Sequence, residues 1–358
     1  MNQREVEPVP QGGGRFSNNF DFMRFAAATL VVAAHAYALH AGYSQIGLHD
    51  PVMLAGRAAL AAFLATSGYL IAASWESTAS PLWFAWKRFL RIVPGLIPVI
   101  LVTLFILGPL VTSLPQDDYF ATLFSPEGFA AVPFFENGGV LGLFQDNPVT
   151  YVNGSLWTIP LEAALYGVVA ALGVAGLLHR RGALPALIAL NVLVWFCWFD
   201  DVRMAKVRFS LYFLVGALLY VRRERVALRP AIAGGLLILL VASAMTPLAA
   251  IAGVVAIPYL TIYAAHIPLP LLNTFGRHGD FSYGIYLYHY PLQQTIIQVT
   301  ANTVAIPALF GLSFAAAFAC AYLSWHAIER RALAAKNLRV SDLRRALGLS
   351  RRLEPLGR

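Results

Sequence analysis

Long apolar runs separated by short polar clusters recur along the chain, and the polar clusters alternate between basic and nearly Lys/Arg-free. A helix needs about 20 apolar residues to cross the hydrocarbon core of a bilayer. On that length the runs predict spans near 20–41, 54–73, 92–113, 154–178, 183–199, 209–221, 231–246, 248–266, 282–300 and 304–327. The expected fold class is therefore all-α, a polytopic membrane protein of about ten transmembrane helices with both termini on one side. Met245-Thr246-Pro247 reads either as a tight turn between two helices or as a break within irregular ones. Residues 1–19, polar and Gly-rich, read as a flexible leader. The membrane domain follows over 20–328, and 329–358 reads as a basic tail lying on the inner leaflet. The first apolar run is long enough to span and others follow it, which argues against a cleaved signal peptide.

Composition agrees with the pattern. Hydrophobic residues make up 58% of the chain, charged residues only 12%, and mean hydropathy is +0.64. A soluble domain carries about twice that charge. The net charge of +8 would suit a nucleic-acid partner, but its distribution gives a better account. Of the 26 Lys and Arg residues, all but Arg57, Arg203, Lys206 and Arg208 fall on the side of the termini. By the positive-inside rule that side is the cytoplasm. The charge is a topology signal, and no nucleic-acid partner is expected. Cys197 and Cys320 both lie in apolar runs and suggest neither a disulfide framework nor a thiol metal site.

Ionisable residues inside apolar spans are costly and mark candidate sites. Arg24 and His35 lie eleven residues apart on the first predicted helix, on nearly one face and roughly 16 Å apart along the axis. Asp21 precedes Arg24 by one turn and can pair with it, either holding it in a site or merely neutralising it. Ala65, Ser67 and Gly68 permit close helix approach, with the Ser67 hydroxyl either a packing group or a cavity group. Lys87, Arg88 and Arg91 cluster on the cytoplasmic side. Arg88 and Arg91, one turn apart, can present their forks to one anion, such as the phosphates of a nucleotide-bearing donor. Ordinary positive-inside charge is the alternative. The external stretch 114–153 carries Asp117, Asp118, Glu127, Glu136 and Asp146 and no Lys or Arg; a loop of that length usually has structure or function of its own, and it reads either as a cover over an acceptor site or, more simply, as an acidic solvated loop.

Glu162 sits well inside an apolar span four residues before Tyr166, so the two share a face. It needs a partner, a proton or water, and a structural ion pair with an arginine is as good an account as a catalytic one. Asp200, Asp201, Arg203, Lys206 and Arg208 form a compact charged external loop expected to pair internally. Tyr286 and His289 lie at i, i+3 and line one wall, with Pro291 beside them removing a backbone hydrogen bond. No Walker motif, HExxH or CxxC is present.

In this order the motifs resemble those of the acyltransferase family 3 membrane proteins, which O-acylate carbohydrates at bacterial cell surfaces. The matching residues are Asp21-Phe-Met-Arg24 with ten residues to His35; Ser67-Gly68-Tyr69; Lys87-Arg88-Phe-Leu-Arg91-Ile-Val-Pro94; Ser155-Leu-Trp157-Thr158 through Glu162 to Tyr166; and Ser282-Tyr283-Gly-Ile-Tyr286-Leu-Tyr-His289. They span about residues 20 to 330. Lys87 departs from the pattern, since many relatives have arginine there. The resemblance implies a bacterial inner-membrane enzyme with a cytoplasmic acyl-coenzyme A donor, acetyl by default. The acceptor would be a sugar hydroxyl of a lipopolysaccharide, exopolysaccharide or peptidoglycan, or, as in a related branch, a small-molecule glycoside. Lys87, Arg88 and Arg91 would hold the donor, supported by Arg24 and Asp21. His35 would take the acceptor's proton or carry the acyl group, and Glu162 would stabilise it or bind Arg24. Ser67, Trp157, Tyr166, Tyr286 and His289 would line the cavity or touch the acceptor. No metal is required. The rival class is a secondary transporter or flippase of lipid-linked sugars, with His35 and Glu162 in a proton pathway. It predicts no binding of an acyl donor.

Overall fold

The computed structural model describes residues 18–47, 49–78, 80–131, 141–197 and 204–337. The leader up to residue 17, the tail beyond 337 and the acidic half of the 200–208 loop lie outside them. The described chain is helical, with a single isolated antiparallel bridge, Thr112 to Leu143, and no strand among the described residues.

The helices are α1 (Phe20–Ala41), α2 (Pro51–Glu76) and α3 (Pro81–Val102), the last continuing through a π-helical turn to Val111. Two short helices follow, α4 (Gln116–Leu123) and α5 (Pro126–Ala131). Then come α6 (Thr158–Val174), α7 (Ala183–Cys197), α8 (Met204–Val221), α9 (Pro230–Ser243) and α10 (Ala249–His266). The described chain closes with α11 (Ser282–Val299) and α12 (Ile306–Ser324), which runs on through a π-helical turn to Ala334. Among the described residues, five helices are long and apolar enough to cross a membrane: α1, α2, α3 with its extension, α10, and α12 with its extension. Helices α6, α7 and α9 are shorter apolar helices. This is a multi-pass membrane architecture.

Boundary residues explain several of the helix starts. Asp50 accepts from the backbone N–H groups of Val52 and Met53, and Pro51 follows at the first helical position, where its missing N–H costs nothing. Ser80 and Pro81 repeat the arrangement for α3. That cap starts α3 eleven residues ahead of the expected 92, so Lys87, Arg88 and Arg91 lie within the helix rather than on an approach to it. Asn19 anchors the start of α1 to the end of α10, its side-chain amide donating to the carbonyls of Ile267 (2.8 Å) and Ala264 (3.2 Å).

Small residues set the tightest contact, as expected of Ala65 and Gly68. A β-carbon on Gly68 would lie 1.9 Å from the Phe213 carbonyl oxygen of α8, and one on Gly216 would lie 2.1 Å from the Ala65 carbonyl oxygen of α2. The two backbones meet at reciprocal glycines, which is how helices associate where no hydrophobic force separates protein from lipid. Gly68→Val should therefore push α2 and α8 apart. We expect a loss of about 1–3 kcal/mol or more, read as a lower thermal midpoint in detergent, with a conservative change at lipid-exposed Leu110 leaving the midpoint unchanged.

The polar helix is heavily buried. Helix α11 buries Tyr286, His289, Gln293 and Gln294 along with most of its apolar residues. Gln294 holds the 147–151 stretch in place: its amide donates to the carbonyls of Val149 and Tyr151, and its own side-chain and main-chain oxygens accept from Asn147. Tyr119 of α4 donates to the Leu104 carbonyl at 2.7 Å, inside the π-helical turn. The described part of 114–153 is thus ordered structure tied to the bundle.

Candidate active site

Two histidines from opposite ends of the sequence meet in the bundle. His35 Nδ1 lies 2.9 Å from His289 Nε2, with ring planes 26° apart. His289 is fully buried and His35 half-buried. The other nitrogen of His289, Nδ1, faces backbone carbonyls of its own helix, Tyr286 at 2.8 Å and Ile285 at 3.2 Å. Tyr290 stands edge-on to the His35 ring at 5.2 Å between centroids.

The sequence around α11 builds this arrangement. Tyr286, His289 and Gln293 follow i, i+3, i+7 spacing and share a face. Gln293 donates to the Val32 carbonyl of α1 at 2.9 Å, one turn before His35, and so holds the two helices in register. Pro291 has no N–H for the Leu287 carbonyl four residues back. The side-chain amide of Asn153 takes that place, donating to Leu287 at 3.0 Å. Ser155 then bonds to Asn153 Oδ1 at 2.6 Å, and the Tyr286 hydroxyl sits 2.8 Å from both the Ser155 carbonyl and Thr158 Oγ1. The proline beside His289 is thus accommodated within a continuous helix by the Asn153–Thr158 segment.

A second cluster lies toward the end of α1 that carries Arg24. Arg24 Nη1 is 2.5 Å from Asp280 Oδ2, and Arg91 engages the same oxygen. The other carboxylate oxygen of Asp280 accepts from the Ser282 hydroxyl at 2.5 Å and its backbone N–H at 3.3 Å, capping the start of α11. Burial by itself would raise the Asp280 carboxyl; Arg24, Arg91 and Ser282 together hold it well below the usual carboxylate range. Asp21 packs against the backbone of Gly276, where an added β-carbon would meet its carboxylate.

Glu162 is buried and accepts from the Ser67 hydroxyl at 2.9 Å and the Tyr166 hydroxyl at 3.2 Å, with Arg24 and Arg91 within electrostatic reach. Its described hydrogen-bond partners are hydroxyls, and it lies with the arginine cluster. The side-chain partner of His35 is His289. Aromatic rings connect the two regions: Arg24 lies over Phe63 at 5.5 Å, Phe63 stacks on Tyr286 at 6.1 Å, and Tyr286 adjoins His289 at 5.9 Å.

The remaining residues divide. Lys87 donates to Thr78 Oγ1 at 3.0 Å, Arg88 approaches Ser74 Oγ at 3.4 Å and lies over Phe84, and Arg91 goes to Asp280. The three cations therefore take three different partners. Arg88 Nε is buried without a hydrogen-bond partner among the described residues. Trp157 packs against Phe209 of α8, a residue of a separate cavity of 420 Å³ that also holds Arg57 and Arg208. Asp280, which pairs with both Arg24 and Arg91, is a buried ionisable residue that sequence reasoning passed over.

Comparison with known proteins places the whole chain. The family described as "Acyltransferase domain" matches residues 17–326. A protein of Shigella phage Sf6 named "O-acetyl transferase" is 27% identical over 345 residues, covering 91% of this chain and 98% of its own length. "Nodulation protein 10" of Rhizobium leguminosarum bv. viciae is 28% identical over 367 residues, covering 93% of this chain and 97% of its own. No solved structure matches the chain.

Proposed function

The chain belongs to the acyltransferase-domain family, and from that premise we propose that it moves an acetyl group from acetyl-coenzyme A to a hydroxyl of a cell-surface or lipid-linked carbohydrate. The observation that carries this reading is the His35–His289 pair at 2.9 Å, reached from the arginine cluster by way of Phe63 and Tyr286. The relative named as an O-acetyl transferase supports acetyl as the group transferred. We place the enzyme in a bacterial inner membrane, with about ten spans and both termini cytoplasmic, because its Lys and Arg gather on the side of the termini.

In this reading the donor enters from the cytoplasmic side. Arg88 meets its phosphates, since its buried Nε lacks a partner and the forks of Arg91 and Arg24 are turned to Asp280. The pantetheine arm runs toward His35, roughly 16 Å along α1 from Arg24. The acceptor hydroxyl loses its proton to His35 as its oxygen bonds to the thioester carbonyl carbon. The carbon–sulfur bond then breaks, and the leaving thiolate takes the proton back from His35. Glu162, with Ser67 and Tyr166, supports the arginine cluster and does not act on the histidine.

The test is donor kinetics in lipid nanodiscs. Arg88→Ala should raise KM for acetyl-coenzyme A by roughly 10- to 100-fold, the worth of one charge-assisted contact, and leave kcat close to wild type. Equal donor KM in the two proteins would remove Arg88 from the donor site, and no acetyl-coenzyme A binding by wild type would count against the whole reading and favour a transporter.

A further inference from the structure

We propose that His289 is a positioning residue that fixes which nitrogen of His35 reacts; this rests on reading His35 as the group that takes the acceptor's proton. The argument begins at the far end of the pair. His289 Nδ1 faces only carbonyl oxygens, at 2.8 and 3.2 Å, and a carbonyl accepts but cannot donate. His289 therefore carries its hydrogen on Nδ1. It is fully buried among backbone and aromatic groups, where an uncompensated charge would be expensive, so it holds that one hydrogen alone. Its Nε2 then presents a lone pair to His35.

The contact to His35 Nδ1 is 2.9 Å, so that nitrogen supplies the hydrogen. The opposite tautomer would set two lone pairs against each other at the same distance. His35 is left with its lone pair on Nε2, and Nε2 is the atom that reacts. The order along the relay is Tyr286 carbonyl, His289 Nδ1–H, His289 Nε2, His35 Nδ1–H, His35 Nε2.

The arrangement also suits a group that must return its proton. When Nε2 of His35 takes the acceptor's hydrogen, the ring becomes an imidazolium whose Nδ1–H bond to a neutral imidazole strengthens. A neutral partner steadies that cation less than a carboxylate would, so the imidazolium readily gives the proton to the leaving thiolate. His289 acts through His35 and takes no part as a wall against the acceptor.

Two variants and one spectrum test this. In protein labelled with ¹⁵N-histidine, His35 (assigned by the signal missing in His35→Gln) should carry its hydrogen on Nδ1, coupled through the hydrogen bond to His289 Nε2. His289→Leu should abolish the coupling, mix the tautomers and lower kcat by roughly 10- to 100-fold, the usual effect of losing a partner that orients a histidine, with donor KM unchanged. His289→Gln, whose amide oxygen can accept from Nδ1–H, should recover part of kcat. Hydrogen on Nε2 of His35 in wild type, or wild-type kcat in His289→Leu, would overturn the proposal. An active His35→Ala would instead overturn the functional reading, while the tautomer in the spectrum would still be read independently of activity.

Discussion

Asp280→Ala should destabilise the protein more than any other single change in the arginine cluster. Its carboxylate lies between Arg24 and Arg91, and the three side chains are only 14–17% exposed. Removing one partner of a buried ion pair costs about 3–5 kcal/mol, because the charges left behind are neither solvated nor paired. Here two guanidiniums would be left facing each other, and α11 would lose the oxygen that accepts from Ser282. The expected drop in thermal midpoint is on the order of 10 °C, measured at neutral pH in detergent. The sign of the pH dependence follows from the depressed carboxyl. The stabilisation is present above the ordinary aspartate range and fades as pH falls through the folded value, so wild type and variant should differ most at neutral pH. An unchanged midpoint would mean that Arg24 and Arg91 reach water without Asp280.

The largest effect on chemistry is expected at His35. His35→Ala removes the proton acceptor and should lower kcat for acetyl transfer by roughly 10²- to 10⁴-fold. Donor KM should hardly move, since the contacts proposed for the phosphates lie beyond Arg24, roughly 16 Å along α1. Steady-state kinetics in nanodiscs separate the two parameters. A variant that kept kcat and lost donor affinity would place His35 in binding rather than in proton transfer.

Much of this architecture was legible because a bilayer leaves few options. Apolar run length gave the membrane class, and the i, i+4 spacing of Glu162 and Tyr166 placed their side chains in contact, as found at 3.2 Å. The small residues of α2 marked its closest neighbour surface, though not that the neighbour was α8. Distance in sequence limited the rest. His35 and His289 were each visible as intramembrane histidines, but nothing local shows that residues 254 apart share a hydrogen bond. Asp280 was hidden for the same reason. It looks like part of a solvated turn after Arg277, while its partners Arg24 and Arg91 lie 256 and 189 residues away. A local signal did exist, because an aspartate two residues before a helix-starting serine reads as a cap. The spacing of Arg88 and Arg91 suggested one shared anion. In the structure Ser74 and Asp280 engage them separately.

The most direct test of the central claim is mass spectrometry of surface glycans. Cells lacking the gene would be complemented with wild type or with His35→Ala at matched membrane levels. The account predicts acetylated glycan with wild type only, and none with the empty vector or the variant. Equal acetylation with wild type and His35→Ala would contradict it.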